Sequence, residues 1–170
     1  MTRELLLLRH AKSDRPVGIE DFSRPLKKRG RRAAKQIGTW LREQQLIPDT
    51  ILSSPAVRAL ATAQRVCRQL NIDESSIVCD ERIYEAEVLT LLDVLKTCPH
   101  KTKRVLLVGH NPGLEDLLLE LAAHSVSPTS DGKQLPTAAL ARLTFEGNWT
   151  DLTEGCATLV SLIRPDSLPE

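Results

Sequence analysis

In Arg104-Val105-Leu106-Leu107-Val108-Gly109-His110-Asn111-Pro112-Gly113 an unbroken apolar run gives way to polar residues and then to a proline and a glycine. Apolar residues that follow one another without alternation fit a strand buried on both faces, as in a parallel sheet covered by helices. The apolar-rich stretch Leu114 to His124 then reads as a helix, so His110 and Asn111 fall at a strand-to-helix junction.

The same order of events occurs twice upstream. Leu5 to Leu8 is a continuous apolar run ending on Arg9-His10, with polar Lys12-Ser13-Asp14 behind it. Thr50 to Ser53 is a second short buried strand, and Ser54-Pro55 opens a helix through Ala56 to Leu70 with Ser54 as its cap. Between these, Ala33, Ala34, Ile37, Trp40 and Leu41 recur at helical spacing among many Lys and Arg residues, predicting an amphipathic helix over 26–45 that stops before Pro48. Ile77 to Cys79 reads as a third strand, and Val88 to Leu95 as a short helix offering Leu89, Leu92 and Val94 to the core. Ser125 to Gln134 is a surface loop by composition. Ala138 to Phe145 and Cys156 to Ile163 are strands, with Gly147-Asn148 the hairpin turn between them.

Alternating strands and helices predict a three-layer α/β/α sandwich whose mostly parallel sheet carries an antiparallel C-terminal hairpin. At 170 residues with 41% hydrophobic content, residues 1–170 are expected to form a single domain with one sizeable core. A formal net charge of +1 lacks the bias that nucleic-acid or membrane-surface binding requires, so neither partner is expected. Met1 to Leu8 is too short an apolar run for a signal peptide or a membrane span, which predicts a cytoplasmic protein. Cys67, Cys79, Cys98 and Cys156 are widely spaced with no C-x-x-C pair, as expected of reduced core thiols.

In open α/β sheets ligands bind beyond the carboxyl ends of the strands, where all three polar junctions fall. Arg9-His10, Ser54-Pro55-x-x-Arg58 and Gly109-His110-Asn111 are therefore expected to converge on one crevice. Two guanidiniums match phosphate oxygens with fork-shaped donors, and two imidazoles supply a nucleophile and an oxyanion donor. Phosphate is the anion that uses all four.

Leu8-Arg9-His10-Ala11-Lys12-Ser13, Ser53-Ser54-Pro55-x-x-Arg58-Ala59-x-x-Thr62-Ala63 and Val108-Gly109-His110-Asn111-Pro112-Gly113 resemble, in order and spacing, the motifs of the histidine phosphatase superfamily. The likeness runs from Met1 to about Ile163 and is strongest to the short SixA-type phosphohistidine phosphatases, which share the phosphoglycerate mutase-like fold. The superfamily's usual Arg-His-Gly triplet is Arg9-His10-Ala11 here, which removes the freedom of glycine to adopt φ > 0. The resemblance implies that His10 attacks phosphorus and is transiently phosphorylated. It also implies that Arg9, Arg58 and His110 hold the equatorial oxygens, with Asn111 as a further phosphate contact. The adjacent arginines should keep the His10 imidazole neutral by like-charge repulsion.

Asp80-Glu81-Arg82-Ile83-Tyr84 resembles the segment that carries the general acid in the phosphoglycerate mutase branch, which points to Glu81, with Glu85 as competitor and a surface role open for both. A departing imidazole, with a reference pKa of about 6.5, needs less acid assistance than an alkoxide. The short segment Glu85 to Lys103 leaves no room for an insertion over the site, so the crevice is expected to be open. The expected substrate is accordingly a phosphorylated histidine-containing protein of a signalling relay. A small phosphorylated metabolite or non-catalytic phosphate binding are the alternatives. No metal or organic cofactor is implied, and the chain is expected to act as a monomer.

Two features stand apart. Cys98 to Arg104 satisfies the C-x5-R spacing of cysteine-dependent phosphatases, but it follows a helix and opens a strand, the reverse of what that loop needs, and lacks glycine. The Lys and Arg residues from Lys27 to Lys35 form either a solvated helix face or a dock for an acidic partner. His100 and His124 are expected to be surface or helix-terminal residues.

Overall fold

The computed structural model describes residues 1–123, 126 and 133–170. Its strands are β1 (Thr2–Arg9), β2 (Thr50–Ser53), β3 (Val78–Cys79), β4 (Arg104–Gly109), β5 (Leu140–Glu146) and β6 (Ala157–Ile163). Its α-helices are α1 (Lys28–Glu43), α2 (Val57–Leu70), α3 (Val88–Lys96) and α4 (Gly113–Leu121). The strands form one six-stranded sheet in the order β3-β2-β4-β1-β5-β6, parallel from β3 to β1, with β5 and β6 added antiparallel.

Both faces of the sheet are covered, which is why β1 and β4 carry apolar residues without alternation. Successive side chains on a strand point to opposite faces. Leu6, Leu8, Leu106 and Val108 therefore join Ile37, Leu41, Ala63 and Val66 of α1 and α2 in one core. Leu5, Leu7, Val105 and Leu107 join Leu91, Leu95, Leu114 and Leu118 of α3 and α4 in the other. Each fully buried leucine contributes about 1.5–3 kcal/mol, so the central strands anchor both layers.

This division places the functional crevice. The chain leaves β1 for α1 on one face of the sheet and leaves β4 for α4 on the other, and β1 and β4 are neighbours. The point where adjacent strands send their helices to opposite sides is where an open sheet forms a ligand crevice.

Several local expectations are corrected. The cap position of α2 is Ala56, not Ser54, whose hydroxyl is drawn toward His110. On α3, Leu89 is exposed while Leu91 and Leu95 join Leu92 and Val94 in the core. Strand β3 is an exposed edge of two residues, so Cys79 is a surface thiol; Cys67 and Cys98 are buried and Cys156 is partly exposed. β5 and β6 are joined not by a tight turn at Gly147-Asn148 but by a longer connection that includes the 3-10 turn Trp149–Asp151. Helix α4 ends at Leu121, and His124 together with most of the loop expected over 125–134 lies outside the described residues. Among the described residues no helix is long and apolar enough to cross a membrane.

Candidate functional site

Strand register brings the two imidazoles together. β1 and β4 run parallel with Arg9 opposite Gly109, so the residues that follow, His10 and His110, leave the sheet side by side. The His10 amide reaches the Gly109 carbonyl at 3.0 Å, and the ring centroids are 5.2 Å apart. β2 lies on the far side of β4, with Ser53 opposite Val108, and the Ser54 amide continues that ladder to the Val108 carbonyl at 3.0 Å. Ser54 thus sits beside His110, and Arg58 follows in the first turn of α2. His10, Arg58 and His110 are all buried, and Arg9 is partly so.

His10 Nδ1 lies 2.8 Å from the Ala11 carbonyl, an acceptor, so Nδ1 carries the hydrogen and Nε2 carries the lone pair. The Ala11 amide donates to Thr62 Oγ1 at 3.0 Å, and Thr62 Oγ1 donates to the Arg58 carbonyl at 2.7 Å. The loop that follows His10 is thereby tied to the helix that carries Arg58. Among the described residues the non-glycine positions with positive φ are Gln45, Asn71, Glu85 and Ala138, so alanine at position 11 meets no left-handed strain.

Beyond His110 stand two residues that sequence reasoning did not place in the site. The Tyr84 ring meets the His110 ring edge-on, centroids 5.4 Å apart, and its hydroxyl donates to Asp21 Oδ2 at 2.5 Å. Asp21 lies on the 3-10 turn Asp21–Ser23 and also receives Arg58 Nη2 at 3.1 Å and Arg24 Nε at 3.0 Å, while its carbonyl receives Arg58 Nη1 at 2.7 Å. The Asp21 to Arg24 spacing was the one local signal, since an acid and a base three apart suit a single helical turn. Its link to Arg58 is tertiary and leaves no trace in the sequence.

Glu81 and Glu85, by contrast, are exposed, and their segment reaches the imidazoles through Tyr84. Asn111 donates one Nδ2 hydrogen to the Leu135 carbonyl at 2.8 Å. Arg9 Nη1 reaches the same carbonyl at 3.2 Å, and Glu115 Oε1 in turn receives the Gln134 and Leu135 amides. Leu135 is a backbone post on which Arg9 and Asn111 are braced.

Four buried polar atoms here have no partner: Arg9 Nε, Arg58 Nε, His110 Nδ1 and Asn111 Oδ1. Asn111 Oδ1 is an acceptor, but the three nitrogens can donate, and a buried donor without an acceptor costs about 1–3 kcal/mol, so the gathering of these nitrogens beside His10 marks a place prepared for an anion.

The electrostatics agree. Burial pushes His10 down to about 3, with smaller contributions in the same direction from His110, Arg58 and Arg9, against the raising effect of the Ala11 carbonyl. Burial is also the larger cause of the fall of His110 to about 4, with the Arg58 charge behind it. The arginine repulsion expected from sequence is present, but desolvation leads. The Tyr84 hydroxyl and Arg58 hold the Asp21 carboxyl down at about 2, and the Asp21 carboxylate raises Tyr84 to about 12.

Cys98 lies in the core at the end of α3, burial raising its thiol to about 11, and Arg104 instead pairs with Glu4. The C-x5-R spacing therefore holds no phosphatase loop. Among the described residues no group of His, Cys, Asp and Glu is arranged to hold a metal ion.

Residues 5–91 match the model of the histidine phosphatase superfamily, branch 1. An uncharacterized protein of Mycobacterium tuberculosis is 35% identical over 162 residues, covering 93% of this chain and 99% of its own length. A proposed phosphohistidine phosphatase SixA from Nakamurella multipartitia superposes with a TM-score of 0.84 at 28% identity, covering 97% of each chain. The corresponding proposed SixA from Agrobacterium tumefaciens gives 0.78 at 30% identity, covering 96% of this chain and 99% of its own. With the paired imidazoles and the orphaned donors at the strand ends, this similarity establishes that the chain belongs to the histidine phosphatase superfamily, as a phosphatase hydrolase of its SixA-type branch.

Proposed function

We propose that the chain is a phosphohistidine phosphatase that takes the phosphoryl group from a histidine displayed by a signalling phosphotransfer protein in the cytoplasm, through a phosphohistidine at His10. The observation that carries this reading is the set of buried nitrogens without partners, Arg9 Nε, Arg58 Nε and His110 Nδ1, facing the neighbourhood of an imidazole whose Nε2 lone pair is free. A phosphoryl group has three equatorial oxygens to accept from them.

In the first step His10 Nε2 attacks phosphorus in line. The bond from phosphorus to the substrate imidazole breaks, and that ring, which carries a proton on its other nitrogen, keeps the electron pair and leaves as neutral imidazole. In the second step a water attacks the phosphorus on His10, the N–P bond returns its electrons to Nε2, and phosphate leaves. Burial keeps His10 neutral at physiological pH, so no proton has to be removed before attack. For His110 to donate, its hydrogen must sit on Nδ1. Ser54 Oγ accepts the Ala56 amide at 3.2 Å and lies 2.7 Å from His110 Nε2, and in this reading its hydroxyl donates to Nε2, which sets that tautomer.

The leaving group distinguishes the substrate classes. Asp21, the carboxylate that reaches the imidazoles through Arg58 and Tyr84, is held ionised and donates no proton near neutrality. An alkoxide leaving group needs such a donor, whereas a ring protonated on its other nitrogen leaves as neutral imidazole, whose conjugate acid has a pKa of about 6.5, and does not. Between Glu85 and Lys103 the chain builds α3, whose apolar side chains pack into the core, which favours an approach wide enough for a folded substrate.

The test is release of label from a phosphorylated histidine phosphotransfer domain. Wild type is expected to release phosphate and to show a trapped phosphoenzyme at short times, and His10→Ala to do neither. Equal release by His10→Ala, or a far higher kcat/KM on a sugar or glycerate phosphate, overturns the reading. Binding of phosphate with no phosphoenzyme formed reduces the chain to a binding module.

A further inference from the structure

The basic run of α1 takes no part in the phosphate site, and in the fold its members divide. Arg31 turns back to donate Nη1 to the Leu26 carbonyl at 2.9 Å. Gly30 packs so closely on the Lys12 carbonyl that a Cβ there would overlap it, which fixes α1 against the loop that follows His10. Arg29 and Arg32 instead join Lys12 and Arg164 in lining a groove of about 530 Å3, whose carboxylates are Asp166 and Glu170.

The groove begins at the site. Lys12 is two residues beyond His10, and two residues of chain span at most about 7 Å. Pro136 and Thr137 line the same groove, and they lie between Leu135, the post for Arg9 and Asn111, and Ala138, whose amide donates to the Arg9 and His10 carbonyls. A substrate protein with its phosphorylated side chain at His10 would lie over this groove.

We propose that the groove is the docking surface for an acidic segment flanking the phosphorylated histidine of the substrate protein. The inference rests on the reading of the chain as a phosphatase of proteins. Cations outnumber carboxylates in the groove, which favours an acidic occupant. No residue lining it is aromatic, so it offers no platform for stacking bases. The net charge of +1 withholds the broad positive field on which nucleic-acid binding depends. Its volume exceeds the needs of a single phosphate and accommodates several side chains of a peptide segment.

The experiment pairs two substrates with one double variant, Arg29→Glu/Arg32→Glu, both side chains being exposed on α1. On a phosphorylated histidine phosphotransfer domain the variant is expected to lose at least tenfold in kcat/KM, mainly through KM, and to lose the salt dependence of wild type. On phosphoramidate, which is too small to reach the groove, it is expected to stay within twofold. Lys96→Glu/Lys101→Glu, exposed cations on and just after α3, serves as the charge control and should match wild type on both. Undiminished turnover of the protein, equal loss on both substrates, or equal loss in the control overturns the proposal.

A binding measurement separates this proposal from the catalytic reading. Fluorescein-labelled deca-glutamate, followed by anisotropy, should bind wild type and bind Arg29→Glu/Arg32→Glu at least tenfold more weakly; equal binding to the two proteins overturns the groove assignment. Wild type that binds this peptide through the groove but releases no phosphate from protein sinks the catalytic reading and leaves the groove standing.

Discussion

Arg3 and Arg9 lie at opposite ends of β1, and the protein treats their side chains in opposite ways. Arg3 is wholly buried, yet Nε donates to the Thr102 carbonyl at 3.2 Å, Nη2 to the His100 carbonyl at 2.6 Å, and Nη1 to the Gly147 carbonyl. Trp149 Nε1 donates to the same Thr102 carbonyl at 2.9 Å. At the other end, Arg9 makes one bond, to the Leu135 carbonyl, and its buried Nε has no partner; Arg58 nearby also keeps Nε unpartnered. A guanidinium whose three nitrogens each meet a carbonyl staples loops together, while one with a buried nitrogen left unpartnered is held ready for an anion. Burial alone does not separate the two uses; the state of the donors does.

The largest effect expected from this contrast comes from the group that the orphaned donors surround. On the proposed mechanism His10→Gln removes the nucleophile and should lower kcat/KM by roughly four orders of magnitude or more, with no phosphoenzyme formed. A residual rate within tenfold of wild type would mean that the donors surround some other reacting group.

Arg58→Met and Arg3→Met test the contrast directly and should exchange phenotypes. On the proposed mechanism Arg58→Met removes a transition-state donor and should lower kcat by about 10²–10³. It gives up the bonds of Nη1 and Nη2 to Asp21, whose side chain is half exposed, but loses nothing at Nε, so chemical denaturation should show a smaller loss of stability than for Arg3→Met. Arg3→Met should leave kcat within threefold, but it strips carbonyls of their donors and should cost about 3 kcal/mol in stability. If Arg3→Met unfolds no more readily than Arg58→Met, donor satisfaction does not divide staple from clamp.

How far the sequence discloses these two ends differs for a physical reason. The clamp residues follow apolar runs, and periodicity places them: β4 spans Arg104–Gly109 and β1 ends at Arg9, as the apolar patterns predict. Asp21 and Tyr84 were not legible, because their contacts to Arg58 and His110 are formed only when a 3-10 turn and a loop meet the sheet. Arg3 is hidden for the same reason, since its acceptors are carbonyls of distant loops and any residue type supplies a carbonyl. A sound local rule makes Ser54 the helix cap; the cap position falls at Ala56, and the Ser54 hydroxyl, while accepting the Ala56 amide, also takes a tertiary partner, His110. Leu89 shows the limit of pattern on a short helix, where neighbouring leucines compete for one buried stripe and only packing decides among them.

Burial of the two imidazoles also makes stability pH-sensitive in a defined sense. His10 and His110 have folded-state values of about 3 and about 4, below the unfolded value of about 6.5, so between these limits the unfolded chain binds more protons. Stability is therefore fully present above pH 6.5 and falls as the pH drops toward 4, each ring contributing a loss of about 2 kcal/mol between pH 7 and pH 5. Urea denaturation of wild type, His10→Ala and His110→Ala should show a shallower pH slope in each variant. Nitrogen NMR should find both rings neutral at pH 5. A ring protonated with a midpoint near 6.5 would mean that the site is wetter than its burial implies.

The smallest effect belongs to Ser54, which touches no substrate and sets the direction of one hydrogen. With Ser54→Ala, His110 Nε2 loses its donor, the two tautomers become comparable, and the one with Nδ1 as acceptor turns a lone pair toward the phosphoryl oxygens. A tautomer populated half the time halves the competent fraction, and loss of the fixed ring orientation adds to it, so kcat should fall by about three- to tenfold. Ser54→Thr keeps the hydroxyl and should recover most of the rate, which a packing defect would not allow, since Thr adds a methyl group to a site that is already fully buried. His110 imidazole nitrogen shifts supply the readout independent of rate: Nδ1 protonated in wild type and in Ser54→Thr, mixed in Ser54→Ala. If Nδ1 carries no hydrogen in wild type, His110 is not an oxyanion donor, and the clamp consists of the two arginines alone.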